Sequence, residues 1–213
     1  MVTGASKKQL VLLACMAVSA GCIIVSNIVT NKQTELFGVA LTCATFVIPF
    51  TYIASDLVAE VWGFRVARFV SLMTFAIGFA AVAIFSATIA VPGIPSFTMQ
   101  SAFEQLLGAV PRTMAASFAS FIIGSIANAW VMQRMHERDG ERRLGLRCVL
   151  STVVGESIDM GIFTVAAFWG VLPTPVLVET FASGVVLKSL WETIVYALAT
   201  RHVIAAVKAM PDE

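Results

Sequence analysis

Charge is what this sequence has least of. Only 13% of its 213 residues are Asp, Glu, Lys or Arg, about half the share of an ordinary soluble domain. Hydrophobic residues make up 58%, and the mean hydropathy is +0.88. That balance excludes a soluble domain and indicates an integral membrane protein. The formal net charge of +1 supplies no basic field for nucleic acid, so no nucleic-acid partner is expected. Cysteine is scarce and unpaired in pattern. Cys15, Cys22, Cys43 and Cys148 show no metal-ligand spacing, and each reads as small apolar filler. The two histidines, His136 and His202, lie near span ends and outside any HExxH setting, so no metal is expected. Phosphate loops, nucleophile elbows and GxGxxG runs are all missing. The chain therefore has no ATPase of its own, no expected cofactor and no recognisable enzyme chemistry.

What is present is a series of long apolar runs. A basic N-terminus, MVTGASKKQL, leads straight into a run of membrane length. That run is too long for a signal-peptide core and has no convincing cleavage site, so it is expected to be a retained span. Taking about 20 residues per crossing, the sequence predicts an all-α membrane protein with six transmembrane helices in one compact bundle. Residues 1–213 form a single membrane domain. The spans run about 9–30, 36–62, 69–91, 111–133, 148–172 and 175–200.

Basic residues orient the bundle. Lys7, Lys8, Arg65, Arg68, Arg134, Arg138, Arg142, Arg143, Arg147, Arg201 and Lys208 fall on one side, against Lys32 and Arg112 on the other. Both termini are therefore expected in the cytoplasm. The cytoplasmic loop 134–147 alternates in charge and reads either as a solvated loop or as a partner or anionic-lipid surface. The external segment 91–112 opens with two prolines and continues with an amphipathic turn around Phe103, Leu106 and Leu107. It is expected to be a short helix over the external mouth or an ordinary interfacial connection. Trp62, Trp130 and Trp169 stand near span ends, where aromatic belts form.

Against this apolar background, three ionisable pairs fall inside predicted spans: Asp56/Glu60, Glu156/Asp159 and Lys188/Glu192. Spacings of three or four place each pair on one helix face. A charge near the bilayer centre costs about 2.5–3.5 kcal/mol on insertion scales, so these residues belong in a cavity. Carboxylates outnumber the cation five to one among the six. Lys188 and Glu192 admit a purely structural, helix-locking reading as readily as a functional one. Pro49 removes a backbone donor seven residues before Asp56 and is expected to loosen the second span. Phe46, Phe50 and Tyr52 stand around it, and Trp191 lies beside Lys188. Asn27 and Asn128 read either as ligand contacts or as interhelical hydrogen-bond glue. They lie 101 residues apart, and Asp56 and Glu156 lie 100 apart. That is a faint echo of two inverted halves, which the depths of the acids within their spans do not follow.

Three stretches carry a resemblance. PFTYIASDLVAEVWGFRVAR at 49–68, QSAFEQLLGAVPR at 100–112 and STVVGESIDMGIF at 151–163 resemble the queuosine precursor transporter family, also called the vitamin-uptake transporter family. The family is distantly similar to substrate-binding subunits of energy-coupling-factor transporters. The resemblance covers nearly the whole chain. It implies a six-helix bundle with a deep pocket, in the bacterial inner membrane. It also implies uptake of 7-cyano-7-deazaguanine and 7-aminomethyl-7-deazaguanine, facilitated or proton-linked, and it is compatible with a homodimer. A 7-deazaguanine presents N1–H and a 2-amino group side by side, which one carboxylate accepts together. Under that reading Glu156 or Asp159 holds this edge. Asp56 and Asn27 complete the polar shell, Phe50 or Trp191 stacks on the ring, and Asn128, Lys188 and Glu192 stand with them as candidate substrate contacts.

Other readings remain open. The chain could be the binding subunit of a vitamin or nucleobase transporter with a separate ATPase module, docking through the small-residue face Ala14, Ala17, Ala20 and Gly21. An intramembrane enzyme built on Asp56 and Asp159 lacks the expected sequence contexts. A structural factor has no use for unbalanced buried acids.

Overall fold

A computed structural model of the chain describes residues 6–139, 144–195, 198 and 200–210. Helix α1 (Lys7–Val29) starts at a capping box. The Ser6 hydroxyl accepts from the Gln9 amide at 3.3 Å, and the Gln9 side chain accepts from the Ser6 amide at 2.9 Å. Two donors that an uncapped helix end leaves orphaned are thereby satisfied.

The chain beyond α1 corrects the second predicted span. Residues 36–62 do not form one helix. Strands β1 (Gln33–Leu36) and β2 (Val39–Thr42) pair antiparallel, with Gln33 opposite Thr42 and Leu36 opposite Val39. A 3-10 turn (Cys43–Phe46) leads into helix α2 (Ile48–Trp62). The hairpin turns on Phe37 and Gly38, whose φ values are +54° and +79°, a left-handed pair suited to a two-residue connection. Pro49 sits in the first turn of α2, where its missing N–H is no loss. It starts this helix and does not weaken it. The 15 residues of α2 extend about 22 Å, short of a hydrocarbon core of about 30 Å.

Gly63 ends α2 and begins α3 (Phe64–Ala90) at φ +83° and ψ 170°, a conformation that essentially only glycine adopts. The segment after α3 contains α4 (Gln100–Gly108), a short helix with no buried residue, as its amphipathic pattern suggested. Helix α5 (Val110–Asp139) runs on through the first part of loop 134–147. There Arg134 pairs with Glu137 at 3.4 Å, with both side chains exposed. The expectations for Arg142 and Arg143, and for the side chain of Arg147, lie outside the described residues. Helices α6 (Leu144–Phe168), α7 (Thr174–Val195) and α8 (Arg201–Lys208) complete the chain.

Among the described residues, four helical stretches are long and apolar enough to cross a membrane: Lys7–Val29, Phe64–Ala90, Gln100–Arg138 and Val149–Phe168. The chain is thus a multi-pass membrane protein, largely helical with one small hairpin among the described residues. The α5–α6 pair forms the largest helix interface, while α1 packs on α2, α3 and α5, and α7 packs on α6, α2 and β2. Arg112, at the start of α5, donates to the carbonyls of Ala166 (2.7 Å) and Trp169 (2.6 Å) at the end of α6. Its charge thereby satisfies a helix C-terminus. Helix α8 seats Ile204 and Val207 in an apolar cluster with Cys15, Leu57, Val58 and Val70.

Candidate functional site

Hydroxyls, unremarkable one by one in the sequence, converge here. A cavity of about 350 Å³ lies between α1, α2, α3, α5, α6 and α7, with Leu41 and Thr42 of β2 along its wall. Fifteen serines and threonines line it. Several hydroxyls return to their own helix, as Ser26 does to the Ile23 carbonyl at 3.2 Å and Ser120 to that of Ser117 at 3.2 Å. Such bonds let polar side chains stand inside apolar runs at little cost. Thr30 and Thr180 are different. Each is 1% exposed, and neither hydroxyl has a hydrogen-bond partner.

Two carboxylates and one ammonium form the charged part of the lining. Glu156 and Asp159 stand one turn apart on α6, and Lys188 reaches them from α7. The Lys188 Nζ donates to Asp159 Oδ2 in a short ion pair and lies 3.4 Å from Glu156 Oε2. The Tyr52 hydroxyl donates to Glu156 Oε1 at 3.3 Å. Glu156 Oε2 is buried and accepts no hydrogen bond. The lysine is therefore chiefly the partner of Asp159, and Glu156 retains acceptor capacity at Oε2.

Glycines bring these groups together. A Cβ on Gly124 would meet Asp159 Cβ at 2.9 Å, and one on Gly155 would meet Asn128 Cβ at 2.8 Å. Each glycine thus faces the polar residue one turn beyond the other glycine. The backbones of α5 and α6 close to within small-residue packing distance, and Asn128 and Asp159 both join the lining.

Asn27 also lines the cavity but is committed to structure. Its Nδ2 donates to the Ile23 carbonyl at 2.8 Å, its Oδ1 accepts from Ser117 at 3.0 Å, and its own carbonyl accepts from Thr113 at 3.0 Å. It joins α1 to α5 while only 2% exposed.

Of the sequence-predicted contacts, the cavity gathers Asn27, Asn128, Glu156, Asp159 and Lys188. It does not gather Phe50, Asp56 or Trp191. On α2 the cavity face consists of Thr51, Tyr52, Ser55 and Val58, so Asp56, although half-buried, is not part of the lining. Glu60 is exposed and pairs with Lys208 of α8 at 3.1 Å. Phe50 is 58% exposed because it sits in the first turn of α2, off that face. Trp191 is 37% exposed and also outside the lining. The side chain of Glu192 lies outside the described residues. The aromatic surfaces that do line the cavity are Tyr52, Phe75, Phe121 and Phe163. Phe75 and Phe121 meet at 5.2 Å with their planes tilted by 43°. Tyr52 was among the aromatics the sequence placed around Pro49, but phenylalanine is common in apolar spans, so nothing in the sequence marked the other three.

Glu179 is a further acid within the last predicted span, without an acidic or basic neighbour at helical spacing to mark it. Its Oε1 accepts from the Ala40 amide at 2.9 Å, while Ser183 donates to the Ala40 carbonyl at 2.7 Å. Two α7 side chains thereby satisfy both backbone groups of one β2 residue.

Known proteins share this chain's sequence over most of its length. Residues 42–201 match the family model described as "Putative vitamin uptake transporter". The chain is 27% identical over 195 residues to a Bacillus subtilis (strain 168) protein named "Probable queuosine precursor transporter", covering 88% of this chain and 81% of that one. It is also 27% identical over 144 residues to the "Queuosine precursor transporter" of Escherichia coli (strain K12), covering 68% of this chain and 62% of that one. No solved structure matches.

Proposed function

This chain belongs to the vitamin uptake transporter family, and on that premise we propose that it carries queuosine precursors across a bacterial inner membrane. The substrates are 7-cyano- and 7-aminomethyl-7-deazaguanine. The observation that carries this reading is the state of Glu156: a half-buried carboxylate in the cavity wall, with Oε1 on Tyr52 and Oε2 3.4 Å from the lysine it shares with Asp159, accepting no hydrogen bond. A 7-deazaguanine supplies the two adjacent donors such a group lacks. Glu156 takes the N1–H and 2-amino edge, and Tyr52 steadies it from the other side. Asn128 is placed for the 6-oxo group. Phe75, Phe121 or Phe163 offers the flat apolar surface for the ring. The lysine-bound Asp159 holds the second charge of the site in place.

The bundle crosses the membrane six times with both termini in the cytoplasm, in keeping with the eleven-to-two distribution of basic residues. Helix α7 supplies one crossing, and α2 with its hairpin supplies another. Transport is facilitated or proton-linked in this reading, and the sequence carries no phosphate-loop motif. A homodimer is compatible with this arrangement.

Thermal stabilisation of the purified protein tests the substrate class, with both deazaguanines, guanine and biotin as ligands. At 100 times its dissociation constant a ligand adds about 2.7 kcal/mol. A shift with the deazaguanines, abolished by Glu156→Gln, is the expected result. A shift with biotin alone would overturn the substrate, and no shift at all would remove the reading. Uptake by the chain alone in sealed liposomes then separates a carrier from a binding subunit.

A further inference from the structure

Counted as charges, the cavity is unbalanced. Glu156 and Asp159 face one Lys188, so the trio has one carboxylate more than it has cations. No other charged residue lines the cavity among the described residues. The nearby acids do not correct the imbalance. Asp56 is half-buried on α2, and Glu179 is engaged with the Ala40 amide. Lys208 is committed to Glu60 on the exposed side of α2. An unbalanced charge at membrane depth is costly, so a ligand that brings one positive charge is favoured over a neutral one of the same shape. The two hydroxyls without partners, Thr30 and Thr180, line the same cavity.

We infer that this cavity selects 7-deazaguanines whose 7-substituent carries a positive charge, the aminomethyl form, over neutral ones such as the cyano form. This rests on the deazaguanine reading above and adds which member of the class the site is built for. Glu156 reads the guanine edge common to both. The surplus charge of the trio distinguishes the substituents. Asp159 and Lys188 thereby become specificity-determining residues, because they set the local charge without being needed for the shared edge.

The test is a set of binding titrations on the full-length protein in detergent. The ligands are 7-aminomethyl-, 7-cyano- and 7-hydroxymethyl-7-deazaguanine, the last a neutral compound close in size to the aminomethyl form. The aminomethyl form is expected to bind at least about tenfold more tightly than either neutral ligand, the factor of one charge-assisted contact. Asp159→Asn balances the trio. It should bring the three affinities within about threefold of one another, and Lys188→Gln should widen the gap. Equal or tighter binding of the neutral ligands by the unaltered protein would overturn the inference. So would a tenfold preference that survives Asp159→Asn. If that variant fails to fold, the comparison of hydroxymethyl with aminomethyl in the unaltered protein decides the matter alone. Absence of binding by all three would overturn the deazaguanine reading itself, and this inference with it.

Discussion

Asn27 and Glu156 line one cavity, yet their side chains are in opposite states. Asn27 gives its amide to the α1 backbone and its oxygen to Ser117, whereas Glu156 keeps an oxygen without a hydrogen bond. The consequences separate cleanly. Asn27→Ala should lower stability by about 0.5–1.5 kcal/mol, the net worth of a typical hydrogen bond, and leave the ligand-induced melting shift intact. Glu156→Gln should do the reverse. Its Tyr52 contact can persist, but exchanging one acceptor for a donor sets it against the 2-amino group. Deazaguanine affinity should fall by about 1.5–3 kcal/mol, or roughly ten- to more than a hundredfold. Melting curves with and without ligand for both variants check this pair. Equal losses of binding would show that Asn27 is a contact after all. At this scale Glu156 was legible as an acid in an apolar run, while the role of Asn27 was not. An amide in a membrane helix looks the same in sequence whether it holds a neighbouring helix or a ligand.

Helix elements owe their placement to small residues and side-chain clasps. Gly155 and Gly124 let α5 and α6 approach, and a Cβ at Gly155 would strike Asn128 Cβ at 2.8 Å. Contacts under 3.0 Å force a shift, and here a backbone-anchored atom stands in the way. Gly155→Ala should therefore destabilise the protein by about 1–3 kcal/mol, the usual cost of overpacking, and weaken ligand binding as well, because the displaced helices carry Asn128 and Asp159. Loss of stability without loss of binding would mean that the crossing does not shape the site. The hairpin depends on Glu179 and Ser183 of α7. Glu179→Ala leaves the Ala40 amide without its partner, a cost of about 1–3 kcal/mol. Faster hydrogen exchange across residues 33–42, with α1 and α3 unchanged, is the expected readout. The hairpin itself was not legible. Residues 36–62 form one hydrophobic stretch, and periodicity alone does not separate a buried strand from a helix. Gly38 and Pro49 were the available punctuation, one at the turn and the other at the true helix start.

For the whole molecule the decisive quantity is the distribution of basic residues about the membrane. In a cysteine-free background, a cysteine replacing Lys32 should react with an impermeant maleimide in intact cells, and one replacing Lys7 only after permeabilisation. The opposite pattern would reverse the orientation. Membrane residence, the broad placement of the long helices and the family were all determined by the sequence itself. Hydrophobic length and scarce charge are properties of the chain before it folds, and the matching motifs are local. Only the tertiary structure decided which polar groups share a space. Glu156 and Lys188 lie 32 residues apart and Tyr52 is more distant still, while fifteen scattered hydroxyls line a single cavity. Asp56 obeyed the same sequence rule as Glu156 and lies outside that lining, because the face a helix presents to a cavity is set by its neighbours. The crossing of α5 on α6 and the clasp of α7 on the hairpin assembled this site, the first between consecutive helices and the second between segments about 140 residues apart in the chain.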